Sequence, residues 1–162
     1  MKINNNSSKS CFTGEAYLEV QSQPLRPKCT MGFAFQTFTS NGLLILAENS
    51  QNSYSISLVD GQLFFRFMGI TFTSALTYND GKHHTVSISK SDQTLLVYVD
   101  DELITTTELP RGDTGENDQS NGGLFIGGIP YLMRDKVEKG GYAGSTNGLI
   151  GTIMDIAFID DR

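Results

Sequence analysis

The chain contains an Arg-Gly-Asp tripeptide, Arg111-Gly112-Asp113, directly after Pro110. The stretch from Pro110 to Gly123 is polar, acidic and rich in glycine, which predicts an exposed loop. Integrins recognise this tripeptide, and an exposed aspartate carboxylate could complete a metal site on such a partner. The alternative is that a long acidic loop contains the triplet by chance. The tripeptide is therefore a candidate partner-binding site for a cell-surface receptor.

The two histidines, His83 and His84, are the next residues whose types suggest chemistry. They are adjacent, so on a strand their side chains point to opposite faces and cannot ligate one metal ion together. We expect His84 to pack inward and His83 to face solvent. The chain also lacks a nucleophile elbow, a His-Glu-x-x-His motif, a glycine-rich phosphate loop and the Glu-x-Asp-x-x-Glu pattern of sandwich glycosidases. The sequence therefore predicts that the protein is not an enzyme.

Length and charge limit the classes of partner. The 162 residues suit one domain, which we place at 11–162, with residues 1–10 as a linker or an added tail. The net charge of −6 disfavours nucleic acid, and no apolar run reaches transmembrane length, so membrane insertion is not expected. Residues 1–10 also lack the apolar stretch of a signal peptide, so a secreted parent would make this chain an excised fragment.

Alternation of apolar and polar residues predicts many short strands. The pattern with period two occupies the segments 31–36, 54–58, 84–89 and 95–99. Turn signals separate such segments, and Asp60-Gly61 is the strongest of them, because both central residues of a type I′ turn need positive φ. Asn79-Asp80-Gly81 and Asp100-Asp101 have the same role. Short strands with turns at intervals of about 8–12 residues predict an all-β sandwich or barrel.

Two segments depart from simple alternation. Leu63–Met68 is apolar on both faces, so we expect a strand that is covered on both sides or that lines a concave face. Tyr131–Lys139 is the only helix candidate, and Gly140-Gly141 ends it.

The cysteines, Cys11 and Cys29, fit no zinc spacing, and whether they form a disulfide stays open. If the segment from Val20 to Cys29 is a hairpin connection, Cys29 lies near Val20 and away from Cys11.

A series of short stretches resembles a known family. In chain order they are Asn41-Gly42-Leu43-Leu44, Leu58-Val59-Asp60-Gly61, Asp80-Gly81-Lys82-His83-His84-Thr85-Val86, Val99-Asp100-Asp101, Leu124-Phe125-Ile126-Gly127-Gly128-Ile129-Pro130 and Gly148-Leu149-Ile150-Gly151. This series, from about Phe12 to Phe158, resembles the laminin G-like domain family. The resemblance implies an all-β fold, a two-sheet antiparallel β-sandwich with the jelly-roll topology of concanavalin-like lectins.

The resemblance also implies how the ends of the chain meet. The final segment, Leu149–Ile159, would return beside an N-terminal strand, Ala16–Gln21, and close the sandwich. Its alternation puts one set of apolar side chains on one face: Ile150, Met154, Ile156 and Phe158. Two positions depart from the family pattern, since Thr152 replaces a cysteine of a terminal disulfide and His83 replaces a tryptophan.

Many members of the family bind one Ca²⁺ at a rim of loops. The matching positions form a weak calcium candidate: Asn52, Ser53, Ile70, Asn117, Asp118 and Gln119. Only Asp118 among them is a carboxylate, and Ca²⁺ draws its affinity from carboxylates, so we expect either no cofactor or one weakly bound calcium ion. The alternative is an acidic, solvated loop.

Family members that bind acidic glycans present basic side chains on one rim. Arg134, Lys136 and Lys139, in the predicted loop Arg134–Asn147, form a weak glycan candidate. Acidic residues are interleaved with them, so a solvated loop is the alternative.

The resemblance implies a non-catalytic adhesion or receptor-binding module of a multidomain matrix or cell-surface protein. Such a module would be extracellular and would bind a receptor or a matrix protein through its rim loops. The alternative is a lectin-like or small-hydrophobic-ligand carrier on the same sandwich. The side chains that would line such a ligand site, or else form ordinary core, are Phe64, Met68, Phe72 and Met154.

Overall fold

The computed structural model describes residues 9–21, 28–48, 53–110 and 123–160. Within these ranges the chain forms twelve strands and one helix. The strands are β1 (Lys9–Thr13), β2 (Leu18–Gln21), β3 (Lys28–Thr37), β4 (Gly42–Ala47), β5 (Tyr54–Val59), β6 (Gln62–Phe67), β7 (Ile70–Thr77), β8 (His84–Ser91), β9 (Thr94–Val99), β10 (Glu102–Glu108), β11 (Gly123–Ile126) and β12 (Ile150–Asp160), and the helix is α1 (Tyr131–Gly140). No helix in this part of the chain has the length and hydropathy needed to cross a membrane.

The described strands form two antiparallel sheets of six strands each, which confirms the predicted sandwich. The first sheet has the order β1-β12-β3-β8-β9-β10, and the second has the order β2-β11-β4-β5-β6-β7. Alternate side chains of facing strands fill the space between the sheets, as the period-two pattern requires. The inward side chains of β6, for example, are Leu63, Phe65 and Phe67, and all three are fully buried.

The strand ends define two rims. The distal rim is the end formed by the connections 14–17, 38–41, 60–61, 78–83, 100–101 and 127–130. The proximal rim is the opposite end, where the β6–β7 and β8–β9 turns lie. The connections 22–27, 49–52 and 111–122, which are outside the described residues, also join strand ends of the proximal rim.

Aspartate and glycine form the tight turns of the distal rim, as predicted. Asp60 and Gly61 have φ of 52° and 83° between β5 and β6, and Asp100 and Asp101 have φ of 51° and 64° between β9 and β10. Aspartate tolerates this left-handed region better than most residues because its short side chain can hydrogen-bond locally. Local sequence therefore fixes these two hairpins.

The helix covers the outer face of the second sheet. Val137 is buried against a cluster on that face: Leu43, Leu46, Phe125 and Ile129. The helix ends at Gly141, whose φ of 64° is the left-handed conformation of a helix cap. The segment after the helix returns across β6, where Arg66 lies over the Tyr142 ring at 5.1 Å and Phe64 contacts Gly144. The prediction that Leu63–Met68 is covered on both sides is confirmed.

The predicted position of the final strand is wrong. β12 pairs with β1, whereas β2 lies in the other sheet and pairs with β11. The predicted single apolar face of β12 is also wrong, because a bulge at Asp155 (φ 56°) reverses the alternation. Ile150 is exposed before the bulge, whereas two side chains after it, Ile156 and Phe158, pack against the core.

The proposed hairpin between Val20 and Cys29 does not form, because β2 and β3 belong to different sheets. Cys29 is on β3 and Cys11 is on β1, with β12 between these strands, and no disulfide joins the two cysteines.

Candidate functional site

The two described members of the predicted calcium set, Ser53 and Ile70, both lie at the proximal rim. The other members lie outside the described residues: Asn52, Asn117, Asp118 and Gln119. Ser53 Oγ accepts a hydrogen bond from Arg66 Nη1 at 3.1 Å, and the Ser53 carbonyl oxygen accepts one from the Met68 N–H at 3.1 Å. A guanidinium places positive charge where a calcium ion needs carboxylates. The described residues therefore place a cation beside Ser53, and the calcium site stays a prediction because its other members lie outside the described residues.

Within the described ranges, no three His, Cys, Asp or Glu side chains are grouped so that they could hold a metal ion.

The tripeptide Arg111-Gly112-Asp113 also lies outside the described residues. Its flanks are both fixed at the proximal rim. Before it, the Leu109 N–H donates to the Gln93 carbonyl at 2.7 Å; after it, the Gly123 carbonyl accepts from the Glu48 N–H at 3.0 Å. The connection that contains the tripeptide thus begins and ends on the framework at that rim.

The predicted basic cluster lies on a helix, and its placement in a loop was wrong. Arg134, Lys136 and Lys139 all belong to α1, where successive residues point in different directions. Lys136 Nζ contacts Glu48 at 2.8 Å, Lys139 Nζ contacts Asp135 at 2.9 Å, and the Arg134 guanidinium lies over the Tyr131 ring at 5.8 Å. The three side chains therefore engage separate neighbours, and the glycan candidate stays a prediction.

The predicted ligand-lining residues divide between the core and the outer faces. Met68 and Phe72 pack against the core, and the Phe72 ring stacks on Phe65 with centroids 4.8 Å apart. Phe64 faces outward against the segment after α1, and Met154 Sδ lies 2.9 Å from His83 Nε2 on the outside of the first sheet. These four residues do not line one site.

The distal rim contains a histidine held between two carboxylates. His84 Nδ1 bonds to Asp100 Oδ2 at 2.7 Å, and His84 Nε2 bonds to Asp80 Oδ1 at 2.8 Å. The imidazole is buried against the Phe35 and Tyr78 rings, with centroids 5.8 Å and 5.0 Å away. The predicted orientations are confirmed, since His84 packs inward and His83 is exposed.

The electrostatics of this group favour the imidazolium ion. Burial lowers the pKa of His84, but hydrogen bonds and charge from Asp100 and Asp80 outweigh it, so the pKa lies above its ordinary value of 6.5. The hydrogen bond from His84, with a second from the Lys82 N–H, holds the pKa of Asp80 below its ordinary value of 3.8. Because both ring nitrogens are engaged, the histidine connects the two turns and has no nitrogen available as a general base.

Sequence reasoning missed the two carboxylate partners. Asp80 precedes His84 by only four residues, within the predicted turn Asn79-Asp80-Gly81, and this short spacing could have indicated the contact. Asp100 follows it by sixteen residues, and only the pairing of β8 with β9 brings it close.

The distal rim also concentrates the exposed apolar side chains of the described residues. The six most exposed large hydrophobic side chains, with exposed fractions from 50% to 91%, are Leu132, Tyr131, Phe38, Leu76, Ile150 and Leu103. All six lie in, or directly beside, the connections of this rim. No other large hydrophobic side chain in the described ranges exceeds an exposed fraction of 45%. They come from one turn, from three strand ends and from the start of the helix, so alternation within a strand could not reveal the cluster.

Comparisons with known proteins agree with this architecture. The laminin G domain family model matches residues 35–160. Human laminin subunit alpha-3 is 30% identical over 141 residues, which are 80% of this chain and 4% of that protein. Laminin subunit alpha of Drosophila melanogaster is 30% identical over 134 residues, which are 78% of this chain and 4% of that protein.

Solved structures show the same fold. The LG1-3 region of the laminin alpha2 chain superposes with a TM-score of 0.75 at 22% identity, covering 91% of this chain and 30% of that one. This chain spans only 4% of the length of the two curated relatives, so it corresponds to one module of each. With the family model matched across most of the sandwich, the chain belongs to the laminin G domain family.

Proposed function

We propose that this domain is a non-catalytic adhesion or receptor-binding module of a multidomain extracellular matrix or cell-surface protein. Its partners would be a cell-surface receptor or a matrix protein, bound through the loops of a rim. Nucleic acid and membrane insertion have no part in this function.

One observation carries the proposal: the most exposed apolar side chains of the described residues gather on one rim of a rigid sandwich. Soluble monomers rarely expose contiguous apolar patches unless the patch binds a partner. Loops on a rigid framework are also the usual place for binding residues. The rim therefore has the character of an interaction surface.

The positions of the first and last strands suit a module within a longer chain. β1 runs from Lys9, opposite Met154 in the middle of β12, toward the distal rim, and β12 runs away from that rim and ends at Asp160 on the proximal side. Neighbouring domains of a parent protein would attach on that side. The distal rim would then stay accessible to partners.

The Arg111-Gly112-Asp113 tripeptide is a second candidate contact, at the proximal rim. Its support is the topology, because the connection that contains it starts after Leu109 and ends at Gly123, both fixed to the framework. The alternative function as a lectin-like or small-hydrophobic-ligand carrier has less support. The aromatic rings of Phe65, Phe67 and Phe72 stack in the interior where an apolar ligand would lie.

Cell adhesion to the immobilised domain tests the proposal. We expect saturable adhesion of cells that express matrix receptors, at levels above a surface coated with albumin. A variant that disrupts the sandwich, such as Phe35→Asp in the core, provides the control for folding. Adhesion that is equal on the domain and on albumin, across several cell types, would refute an adhesive function.

A further inference from the structure

We infer that the distal rim binds a protein segment that combines apolar and basic side chains. This inference rests on the proposed function and adds the location of the surface and the chemistry of the partner. The observations that support it are the exposed anchors, the excess of acidic residues and the rigidity of the turns.

The exposed anchor best defined by its contacts is Phe38. Its ring lies directly over Gly81, close enough that a side chain at Gly81 would collide with it. The Gly81 N–H donates to the Thr37 carbonyl at 2.9 Å, and Gln36 Nε2 donates to the Gly81 carbonyl at 2.6 Å. The ring is therefore held by the β7–β8 connection while 78% of the side chain is exposed. An aromatic side chain that is already ordered loses little entropy on binding.

Neighbouring turns of the rim are tied to one another. The Asp60 N–H donates to Asn41 Oδ1 at 3.1 Å, the Gly61 N–H donates to the Ser40 carbonyl at 2.8 Å, and the Tyr78 N–H donates to the Gly61 carbonyl at 2.8 Å. His84 then connects the β7–β8 connection to the β9–β10 turn through Asp80 and Asp100. Four consecutive connections of the rim thus form one continuous, preorganised surface.

The charge of the distal rim as a whole is strongly negative. The acidic side chains in or next to its connections are Glu15, Asp60, Asp80, Asp100, Asp101 and Glu102, and Lys82 is the one lysine or arginine in these connections. His84 offsets part of the charge of Asp80 and Asp100. Asp60, Asp101 and Glu102 are exposed and form no ion pair with another described residue. Carboxylates beside apolar anchors favour a partner whose apolar residues are flanked by lysine or arginine.

The same charge argues against other occupants. A second copy would bring its own acidic rim against this one, and like charges in contact are unfavourable. Anionic lipid surfaces and nucleic acid are disfavoured for the same reason. The partner that fits is therefore a basic and apolar protein segment.

The test is a titration of the ¹⁵N-labelled domain with a short synthetic peptide in which leucine and lysine alternate, followed by NMR. Two control peptides replace every lysine by glutamate or every leucine by serine. We expect the leucine–lysine peptide to shift the amide signals of Phe38, Asp60, Gly81 and Asp101, and both controls to bind more weakly by at least about tenfold.

Two sets of variants test the apolar and the acidic side chains of the surface separately. Phe38→Ser and Leu132→Ser remove exposed anchors that the core does not need, and each should weaken binding by about tenfold. Asp60→Asn with Asp101→Asn removes two charges while asparagine tolerates the positive φ of both positions. This pair should weaken binding and reduce its dependence on salt.

Ile159→Ser is the matched control, because Ile159 is exposed but lies at the opposite end of β12. Three results would overturn the inference. The glutamate peptide could bind as tightly as the leucine–lysine peptide, or the Phe38→Ser and Leu132→Ser variants could bind as tightly as the wild type. The third result is a set of amide shifts confined to the proximal rim. Self-association of the wild type that Phe38→Ser abolishes would also overturn the inference, since the occupant would then be a second copy. In the adhesion assay, equal adhesion to the wild type and to the Phe38→Ser and Leu132→Ser variants would refute this inference but not the adhesive function. Absence of adhesion by the wild type would refute the adhesive function instead.

Discussion

Replacing His84 by glutamine should destabilise the domain, and the loss should depend on pH. The side chain of His84 joins Asp80 and Asp100 across two turns, and it is only 11% exposed. Glutamine is similar in length but has no positive charge and no ring. The substitution therefore removes the charge between the two carboxylates and the packing of the ring.

The magnitude follows from the contacts. A hydrogen bond to a charged group contributes about 1.5–3 kcal/mol, and the 44% exposure of the Asp100 side chain puts this bond at the lower end of that range through solvent screening. Loss of the ring contacts with Phe35 and Tyr78 adds about 1 kcal/mol. We expect the free energy of unfolding to fall by about 2.5 kcal/mol below pH 6.

The pH dependence has a definite sign. Because the pKa of folded His84 is raised above 6.5, the stability contributed by its charge is fully present below about pH 6.5 and is lost as the pH rises through the raised pKa. Urea unfolding of wild type and variant from pH 5.5 to pH 10 measures the difference. His83→Gln, at the adjacent exposed position, should change stability by no more than about 0.5 kcal/mol. A gap between wild type and His84→Gln that is constant with pH, or that widens at high pH, would refute the charge-based explanation.

Three further predictions concern packing, calcium and the tripeptide. Gly148→Ala should lower the free energy of unfolding by about 3 kcal/mol, because a Cβ there would collide with the backbone oxygen of Gly14. Gly141→Ala is strained only by its positive φ and should lower it by about 1 kcal/mol. Equal losses for the two variants in urea unfolding would contradict this difference. Millimolar Ca²⁺ should leave the Tm unchanged, because Arg66 already binds Ser53 Oγ. A rise in the Tm of the wild type that Asp118→Ala abolishes would instead show a calcium site. If the tripeptide binds an integrin, Asp113→Glu should abolish adhesion in a divalent-cation buffer, because the longer side chain misplaces the carboxylate that binds the metal. Equal adhesion to the wild type and to Asp113→Glu would remove the tripeptide from the proposed function.

Local sequence predicted the hairpins and the helix, because their signals lie within a few residues. Asp60-Gly61 supplies the positive φ of its turn, and Gly141 supplies the helix cap. The pairing of β12 with β1 could not be predicted from alternation, because partner choice depends on contacts between distant segments. The bulge at Asp155 was missed for a related reason, since a single residue in a left-handed conformation shifts every later side chain to the other face.

The candidate site shows the same division between local and distant information. The inward orientation of His84 follows from the alternation of β8, whereas its contact with Asp100 requires the β8–β9 pairing. The most exposed apolar side chains of the distal rim come from a turn, from strand ends and from the start of the helix, which are far apart in the chain. In the sequence several of them stand beside other hydrophobic residues, as Leu103 does beside Ile104, and only the folded sandwich brings them to one rim.

The bulge in β12 has a consequence for solubility. From Lys9 to Thr13, β1 covers the outer edge of β12 only as far as Met154; beyond it, β12 pairs with β3 alone among the described residues. Among the described residues, β12 is thus a central strand at its start and an edge strand at its end, and the bulge at Asp155 lies where this change occurs. A flat, unpaired edge can template the addition of a strand from another molecule, and a bulge with a charged residue discourages this by twisting the edge. We therefore expect Asp155 to disfavour edge-to-edge aggregation at the point where the described part of β1 ends.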